Sequence, residues 1–502
     1  MASGTITVPE AFFSFRSALM FARASSLLGG LVFLFVLLTT GFGRAQDDQL
    51  QADINKAIDR GVENLKRLGG TGAWPGPQFP TGMNALAAWT LLESGVARSD
   101  PLVQKAAANL RKECVSLTNT YSLTTAILFF DRLGDPGDEV LIQAMAVRLL
   151  AGQNFNGSWN YENRWGDDGD RAWLQRQVED ANKQRQNKTL PAETKKTLFP
   201  EIQKQLDRVQ RANIDVRPGD NSNTQFAMIG LWVARRHGMP VDSALGRVDA
   251  RFRKSQIQGG WAYAPESFFG TPPRATMTCA GLLGLALGQG VKKTGKGNEL
   301  LKDPIVQKGF QLIGGVLKNS DGEMQKKLLV KQEMFYYFLF SLERMAVVYD
   351  VKKIGETDWY TWGAKILVDK QEADGSWKGE YAAADTCFAL LFLKRANVAE
   401  DLTLDLKGIV KPRPKKKLKE SERERDPFDL PPEKEKKKIK IRPKDKESGF
   451  LTPSYLREKL VGISLVVSRP LDFCERETTS RFLMRDADAT WASAPPVRRW
   501  FW

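Results

Sequence analysis

The chain has 502 residues, 42% of them hydrophobic and 26% charged, which allows one large core or two ordinary ones. The net charge of +15 is concentrated near the C-terminus, where residues 411–450 hold 16 Lys and Arg against 9 Asp and Glu. A nucleic-acid-binding protein needs its basic residues on a folded face, so we expect no nucleic acid partner. A single histidine, His237, excludes a His-rich metal site, and the four widely spaced cysteines form no metal-type cluster.

The first 45 residues have the features of an export signal. A basic region precedes a short apolar stretch at residues 26–40, and Gly43 and Ala45 fit a cleavage site. The apolar stretch is short for a bilayer span, which needs about 20 residues. We therefore expect residues 1–45 to be a signal peptide with an N-terminal extension, and the protein to be exported to the periplasm or cell envelope. An N-terminal membrane anchor is the alternative.

Two kinds of helical segment alternate after the signal. One kind is amphipathic and charged, as in residues 49–68 and 100–113, and the other is apolar nearly all round, as in residues 83–95 and 224–236. A helix that is apolar on every face is buried on every face. One segment of each kind per unit gives six helical pairs, and residues 46–402 form one repeat domain.

The junctions inside the pairs repeat a Gln–Gly–Trp motif. Gly allows a sharp turn, Trp covers the turn, and Gln bonds backbone groups at a neighbouring helix end. Gly72-Ala-Trp74 keeps the last part of the motif, and Asp321-Gly322-Glu-Met324 resembles a degenerate copy. The full copies are Gln153, Gly157 and Trp159; Gln256, Gly259 and Trp261; and Gln371, Gly375 and Trp377.

This motif resembles the QW repeats of the terpenoid cyclase and protein prenyltransferase superfamily, which includes the squalene–hopene cyclases. It also resembles secreted bacterial proteins known as prenyltransferase/squalene-oxidase-repeat proteins, a label that describes the repeat and not a demonstrated reaction. The resemblance covers about residues 48–400. It implies an all-α fold, an α/α toroid of about six helical hairpins, with a ring of outer helices, a ring of inner helices and a central cavity.

Residues 165–217 interrupt the third pair with a highly polar helical insertion. A helix that is polar on every face lies on the surface or moves, so the insertion is a surface decoration or a lid. At its start, Asp167-Asp168-Gly-Asp170 could bind a diphosphate through magnesium or form a solvated turn. The position of these carboxylates in a polar insertion favours the turn.

Class II terpene cyclases protonate an alkene and use a D-x-D-D-T motif at the start of an inner helix. Asp220 and Thr224 match the first and last positions, but Ser222 and Asn223 occupy the places of the proton donor and its neighbour. A hydroxyl cannot supply that acid strength. The alternative role for these residues is to cap a helix at residues 224–236. The resemblance therefore implies a member that does not cyclise.

Protein prenyltransferases hold zinc with Asp, Cys and His. Asp385-Thr-Cys387 has the D-x-C form at the start of the last inner helix, but no histidine follows it. A thiolate zinc site needs its remaining ligands, so we expect neither a metal nor a cofactor.

Three carboxylates remain as catalytic candidates, Asp220, Asp385 and Glu343, with Glu162 as a further acid. Paired carboxylates also serve glycoside hydrolases built on (α/α)6 barrels, and the sequence does not show which carboxylates face each other. We expect the starts of the inner helices to form one polar mouth above an aromatic cavity. The ligand-cavity candidates are Asn84, Thr124, Asn223, Thr224, Tyr336 and Tyr337.

The composition changes after the repeat domain. Residues 403–450 mix Lys, Glu and Pro with little to bury, which predicts a disordered charged linker, and residues 451–502 receive no fold. The leading functional hypothesis is a secreted, non-cyclising toroid that binds an apolar, isoprenoid or lipid-like ligand or an envelope partner. The alternatives are an active cyclase-like or carbohydrate-active enzyme, and a purely structural scaffold whose basic tail contacts an anionic envelope polymer.

Overall fold

The computed structural model describes residues 48–76, 79–163, 166–191, 197–212, 217–265, 272–292, 299–318, 334–379 and 381–395. All of them belong to the first of two units of the chain, Met1–Asp429, and the second unit, Leu430–Trp502, lies outside them. The predicted signal peptide, the predicted linker, the unassigned tail and the degenerate motif copy at residues 321–324 also lie outside the described residues.

The described residues are mostly α-helical, as the sequence predicts for an all-α fold. Their strands are β1 (Lys353–Ile354) and β2 (Thr357–Asp358), which pair antiparallel. No helix in these segments combines the length and the apolar character needed to cross a bilayer. The helices are α1 (48–68), α2 (Pro80–Glu93), α3 (Pro101–Glu113), α4 (Thr120–Leu133), α5 (Glu139–Gly152), α6 (Asp168–Gln186), α7 (Pro200–Arg211), α8 (Asn221–Ala234), α9 (Asp242–Ser255), α10 (Ala275–Lys292), α11 (Pro304–Lys318), α12 (Phe335–Val348), α13 (Trp359–Lys370) and α14 (Ala382–Lys394).

Each predicted pair has its two helices. We call the second helix of a pair inner and the first outer. The inner helix α8 is buried along its whole length, whereas the outer helix α11 buries one stripe, Val306, Gly309, Ile313 and Leu317. This spacing follows the helical period of a surface helix that packs one face on a core. The inner helices are α2, α4, α8, α10, α12 and α14, and the outer helices are α1, α3, α5, α9, α11 and α13.

The inner helices contact one another in a closed order. α2 packs on α4, α4 on α8, α8 on α10, α10 on α12, α12 on α14, and α14 returns to α2. The first and last pairs also meet on the side of the outer helices. Arg60 of α1 donates to the carbonyl oxygen of Glu372, which follows α13, at 2.6 Å. The last helical pair therefore lies directly against the first.

The glycines of the motif are required by backbone geometry. Gly72, Gly157, Gly259 and Gly375 have φ angles of 79°, 81°, 82° and 83°, in the left-handed region that disfavours any side chain. A Cβ atom on Gly157 would lie 2.7 Å from the carbonyl oxygen of Arg247 in the next outer helix. The loop and the next outer helix therefore approach too closely for another residue.

The Trp side chains of the motif hold the loop to the outer helix of their own pair, and the Gln side chains join neighbouring pairs. Trp159 Nε1 donates to the carbonyl oxygen of Leu149 at the end of its own outer helix, at 2.6 Å. Gln153 Nε2 donates to the carbonyl oxygen of Ala244 in the next outer helix, at 2.9 Å. The predicted bond of Gln at a neighbouring helix end is confirmed for Gln153 and Gln256, whereas Gln371 bonds the carbonyl oxygen of Ala57 in the middle of α1. The other motif Trp side chains, Trp74, Trp261 and Trp377, and the other motif Gln side chains, Gln256 and Gln371, make the corresponding contacts.

The polar insertion contributes α6, which contacts α3, α5 and the short 3-10 turn at Pro136–Asp138, and α7, which contacts α5. Arg185 of α6 lies 2.8 Å from Asp135, and it also pairs with the buried Asp138. This covering explains why α5 is buried on nearly every side although it is an outer helix. The described contacts place the insertion on the outside of α5, where the sequence predicts a surface decoration.

Candidate functional site

Asp220 caps the first turn of α8. Its Oδ1 accepts the backbone N–H of Asn223 at 2.8 Å, and its Oδ2 accepts Nδ2 of Asn223 at 2.8 Å. Thr224 Oγ1 donates to the carbonyl oxygen of Asp220 at 2.6 Å. The helix starts at Asn221, three residues before the predicted start. Its cap is the Asp220 side chain, whereas the sequence favoured a cap formed by the Ser/Asn/Thr cluster.

Asp220 is buried, with 6% of the residue exposed. Burial raises its pKa from 3.8 to about 6, although hydrogen bonds from Asn223 and Tyr263 oppose the rise. A carboxyl with this pKa is mainly ionised at neutral pH, and its donors stabilise the ionised form. This geometry suits a helix cap and not an acid strong enough to protonate an alkene.

Ser222 joins hydroxyl groups from three inner helices. The Tyr121 hydroxyl of α4 donates to Ser222 Oγ at 2.8 Å, and Ser222 Oγ lies 2.8 Å from the Tyr337 hydroxyl of α12. Tyr337 donates to Gln225 Oε1 at 3.0 Å, so Ser222 is the donor to Tyr337. We call Tyr121, Ser222 and Tyr337 the hydroxyl bridge. Because α4 and α12 are not neighbours in the closed order, the bridge links helices across it.

Aromatic rings fill the next layer along the inner helices. The Phe226 ring of α8 lies 4.9 Å from Tyr121 and 5.8 Å from Phe340 of α12, between ring centroids. Phe340 lies 5.0 Å from Phe388 of α14. The aromatic lining that the sequence predicts for a cavity is therefore packed ring against ring in this layer.

Partly exposed rings cover the hydroxyl bridge. Tyr161 and Tyr263 are half-buried, and their hydroxyl oxygens lie 3.1 Å apart. The Tyr161 ring lies 5.7 Å from Tyr121 and 6.2 Å from Phe79, nearly parallel to Phe79. Burial, followed by the charge of Asp220, raises the pKa of Tyr263 well above its ordinary value, so its phenol stays neutral. We call Phe79, Tyr121, Tyr161 and Tyr263 the aromatic mouth.

Asp385 lies at the start of α14 and is buried. Its Oδ2 accepts the backbone N–H of Tyr381 at 2.8 Å. Burial and the charge of Asp385 raise the pKa of Tyr336 to about 12. Since α8 and α14 stand three places apart in the closed order, Asp220 and Asp385 lie on opposite sides and hold separate partners.

Cys387 follows Asp385 in the D-x-C sequence. Burial raises the pKa of its thiol to about 12, so the thiol is protonated at neutral pH and is a poor zinc ligand. Across the described segments, no group of three or more His, Cys, Asp and Glu side chains could hold a metal ion.

Two of the polar candidates near the starts of the inner helices, Asn84 and Thr224, hold motif loops. Asn84 Oδ1 accepts the backbone N–H of the motif Trp of its own pair at 2.8 Å, and Thr224 Oγ1 does so at 3.3 Å. Thr278 and Thr386, which the sequence analysis missed, make the same contact at 3.3 and 3.1 Å. Thr124 is buried, and its Oγ1 has no hydrogen-bond partner among the described residues.

Glu343 lies in the second half of α12, about 9 Å along the helix from Tyr337. It is fully buried and pairs with Arg344. Burial raises the pKa of Glu343 to about 7, against the opposing effect of Arg344. The Arg344 guanidinium lies 4.6 Å from the Phe340 ring and 5.5 Å from the Trp89 ring. Glu343 is therefore distant from the aromatic mouth.

The remaining acidic candidates have surface roles. Glu162 is exposed and accepts the Thr118 hydroxyl at 2.5 Å. Asp167 and Asp170 form a capping box at the start of α6, and both pair with Arg208. These carboxylates already neutralise a guanidinium, which favours the predicted turn over a diphosphate–magnesium site.

His237 lies just after α8 and is buried. Its Nδ1 lies 2.8 Å from Glu139 Oε2, and its Nε2 lies 3.1 Å from Asp131 Oδ1. Burial alone would lower the pKa of His237, but these two carboxylates outweigh burial and hold the pKa above 6.5. The side chain links the ends of α4 and α8 to the start of α5.

Sequence reasoning missed most of the aromatic mouth. A repeated signal was present, because Tyr161 and Tyr263 each follow a motif Trp by two residues, in Trp159-Asn-Tyr161 and Trp261-Ala-Tyr263. Tyr121 carries no comparable signal.

Comparison of the chain with models of protein families, with curated proteins and with solved structures finds no match.

Proposed function

We propose that this chain is a secreted, non-cyclising α/α toroid of six helical hairpins that binds an apolar ligand or an envelope partner at the aromatic mouth. The closed order of inner helices supports the toroid, as do the motif loops that join each outer helix to the next. The repeat motif resembles that of the terpenoid cyclases and protein prenyltransferases, and the N-terminal signal sequence supports export.

The hydroxyl bridge is the observation that carries this proposal. A cyclase would hold its acid at Ser222, above an open cavity. Here the Ser222 hydroxyl links Tyr121 to Tyr337, and the Phe226 and Phe340 rings pack beneath it. This arrangement favours contact at the partly exposed mouth over enclosure of a long isoprenoid chain.

The same packing favours a second candidate, a structural scaffold without a small-molecule ligand. An active cyclase has less support, because the donors around Asp220 stabilise its ionised form and Asp385 lies on the opposite side of the closed order.

Catalysis is tested by incubating the purified full chain with squalene and analysing the products by mass spectrometry. We expect no cyclised product. A cyclised product that disappears with Asp220→Asn would overturn the non-cyclising assignment.

Binding is tested by native mass spectrometry of the protein purified from its own cell envelope. We expect a bound species that is lost in a Tyr161→Ala/Tyr263→Ala double variant. The control is Phe155→Ala, because this ring is 59% exposed and lies outside the aromatic mouth. A wild-type protein that carries no bound species and recovers none from the envelope would favour the scaffold instead.

A further inference from the structure

The phenol groups of the aromatic mouth take part in hydrogen bonds that run inward. Asp220 lies at the inner end of one such series. It accepts from Asn223 through both carboxyl oxygens, and it also accepts from the Tyr263 hydroxyl. An ionised carboxylate has lone pairs and no hydrogen, so it can only accept. The hydrogen of the Tyr263 hydroxyl is therefore directed to Asp220.

The next bond takes its direction from the first, because a phenol carries only one hydrogen. Since Tyr263 gives its hydrogen to Asp220, it accepts from the Tyr161 hydroxyl, whose oxygen lies 3.1 Å away. Tyr161 is partly exposed and is the outer end of this series. Its hydrogen is used in the bond to Tyr263, whereas its oxygen keeps the capacity to accept from a bound molecule.

Tyr121 has the same polarity. Its hydroxyl donates to Ser222, which donates onward to Tyr337. The three phenols of the aromatic mouth, Tyr121, Tyr161 and Tyr263, therefore all give their hydrogens to groups on the inner side. A ligand that forms a hydrogen bond with these phenols must supply the hydrogen itself.

Charged side chains near the mouth favour a different kind of ligand. The acids among them are Asp220 and Glu162, and the cations are Arg217, Arg251 and Arg274. The cations outnumber the acids by one, which favours an anionic head group, whereas the phenol oxygens favour a donor. Salt screens charges at an exposed surface, so we expect the direct contact with the phenols to decide at physiological ionic strength.

We propose that Tyr161 is a hydrogen-bond acceptor for the ligand, and that the ligand is an apolar chain whose head group is a hydroxyl. An alcohol of this kind gives its hydrogen to the Tyr161 oxygen, and its chain packs on the Phe79 ring, which lies nearly parallel to Tyr161. An ether head group brings two acceptor oxygens together without a hydrogen between them. The inference rests on the proposed function and deepens it, because it names the head group of the ligand.

The test is isothermal titration calorimetry of the full chain with geraniol, geranyl methyl ether and geranate, which share one isoprenoid chain and differ in the head group. We expect geraniol to bind about fivefold more tightly than the ether, which corresponds to one hydrogen bond. Geranate, the anion, should bind no more tightly than geraniol. An ether that binds as tightly as geraniol would overturn the inference, as would geranate that binds more tightly.

Two conservative variants locate the preference. Tyr161→Phe removes the acceptor and keeps the ring, so geraniol should lose its advantage while the ether binds as before. Tyr263→Phe frees the Tyr161 hydrogen for the ligand, so the ether should gain affinity and the preference should fall. The matched control is Tyr349→Phe, because this hydroxyl donates to the carbonyl oxygen of Leu282 outside the mouth, and its preference should equal that of wild type. A preference unchanged in Tyr161→Phe or in Tyr263→Phe would contradict the proposed direction of the bonds.

Native mass spectrometry of the protein from its own envelope separates this inference from the proposed function. If none of the three probes binds, but the protein carries an envelope species that Tyr161→Ala/Tyr263→Ala loses, the inference fails and the ligand-binding mouth stands. If no probe binds and no envelope species is found, both proposals fail and the scaffold remains.

Discussion

The two ends of the inner helices hold different kinds of polar groups. At the N-terminal ends, the hydroxyl bridge consists of neutral side chains that bond to one another, and the buried carboxyls of Asp220 and Asp385 accept hydrogen bonds from backbone N–H groups. Toward the C-terminal ends, the buried groups are charged and paired, as in Glu343 with Arg344 and His237 with Glu139. Neutral hydroxyls can exchange partners at small cost, whereas a buried charge is fixed by its partner. The proposed binding site therefore lies at the end whose hydroxyls can change partners, and the ion pairs lie at the other end.

The largest expected effect comes from breaking the buried ion pair. Arg344→Met leaves Glu343 buried without its cation, and we expect the free energy of unfolding to fall by about 3–5 kcal/mol. Urea denaturation should show the loss most clearly above pH 7, because the pKa of Glu343 is about 7. A Glu343→Leu/Arg344→Met double variant removes both charges and should unfold within about 1 kcal/mol of wild type. A double variant as unstable as the single one would contradict this account.

At the other end, Ser222→Ala removes the centre of the hydroxyl bridge. Two buried phenols each lose a hydrogen-bond partner, and we expect a loss of about 1–3 kcal/mol in the free energy of unfolding. Adding Tyr121→Phe removes the hydroxyl that donated to Ser222, so the double variant should lose less than the sum of the single losses. Strict additivity in urea denaturation would show that the bridge contributes nothing as a unit.

A smaller loss is expected from removing the cap of α8. Asp220→Ala should cost about 1 kcal/mol through the lost cap of the Asn223 N–H, because removing a buried charge offsets the loss of this acceptor by Asn223 Nδ2 and Tyr263. Asp220→Asn keeps an acceptor and removes the titration. The folded pKa is raised from 3.8 to about 6, so the stability gained from the bound proton is full below pH 3.8 and is lost as pH rises through 6. The thermal stability of Asp220→Asn should therefore not decrease as pH rises from 3.8 through 6. A variant with the same pH profile as wild type would refute the raised pKa of Asp220.

His237→Gln should produce the smallest change in the pH dependence of stability, and this change should occur at higher pH than the one expected for Asp220→Asn. Its folded pKa lies above 6.5, so its contribution to stability is complete below pH 6.5 and is lost as pH rises through the folded pKa. His237→Gln should flatten the unfolding profile above pH 6.5 and lower the stability by a constant amount at more acidic pH. A flat wild-type profile above pH 6.5 would show that Glu139 and Asp131 do not hold the proton.

Local features of the sequence predicted the framework well. The period of the apolar residues predicts the helical pairs. Each motif loop needs a positive φ angle that favours Gly, so the same Gly recurs in the sequence of each loop. The hydroxyl bridge had no such signal, because Tyr121 and Ser222 are 101 residues apart and Ser222 and Tyr337 are 115 apart. Contacts at that separation depend on the tertiary fold. The role of Ser222 in the hydroxyl bridge could therefore not be predicted from the sequence alone.

The contact between the last motif loop and α1 has a consequence for how the chain is assembled. Arg60 and Glu372 are 312 residues apart, so α1 is synthesised first and meets its partner last. Because contacts between residues far apart in sequence slow folding, we expect the junction between α1 and the last helical pair to form late. Because this junction uses the same Gln and Gly contacts as the internal ones, the position of the chain ends is incidental. A circularly permuted chain that begins at α3 and links α14 to α1 should reach the same fold.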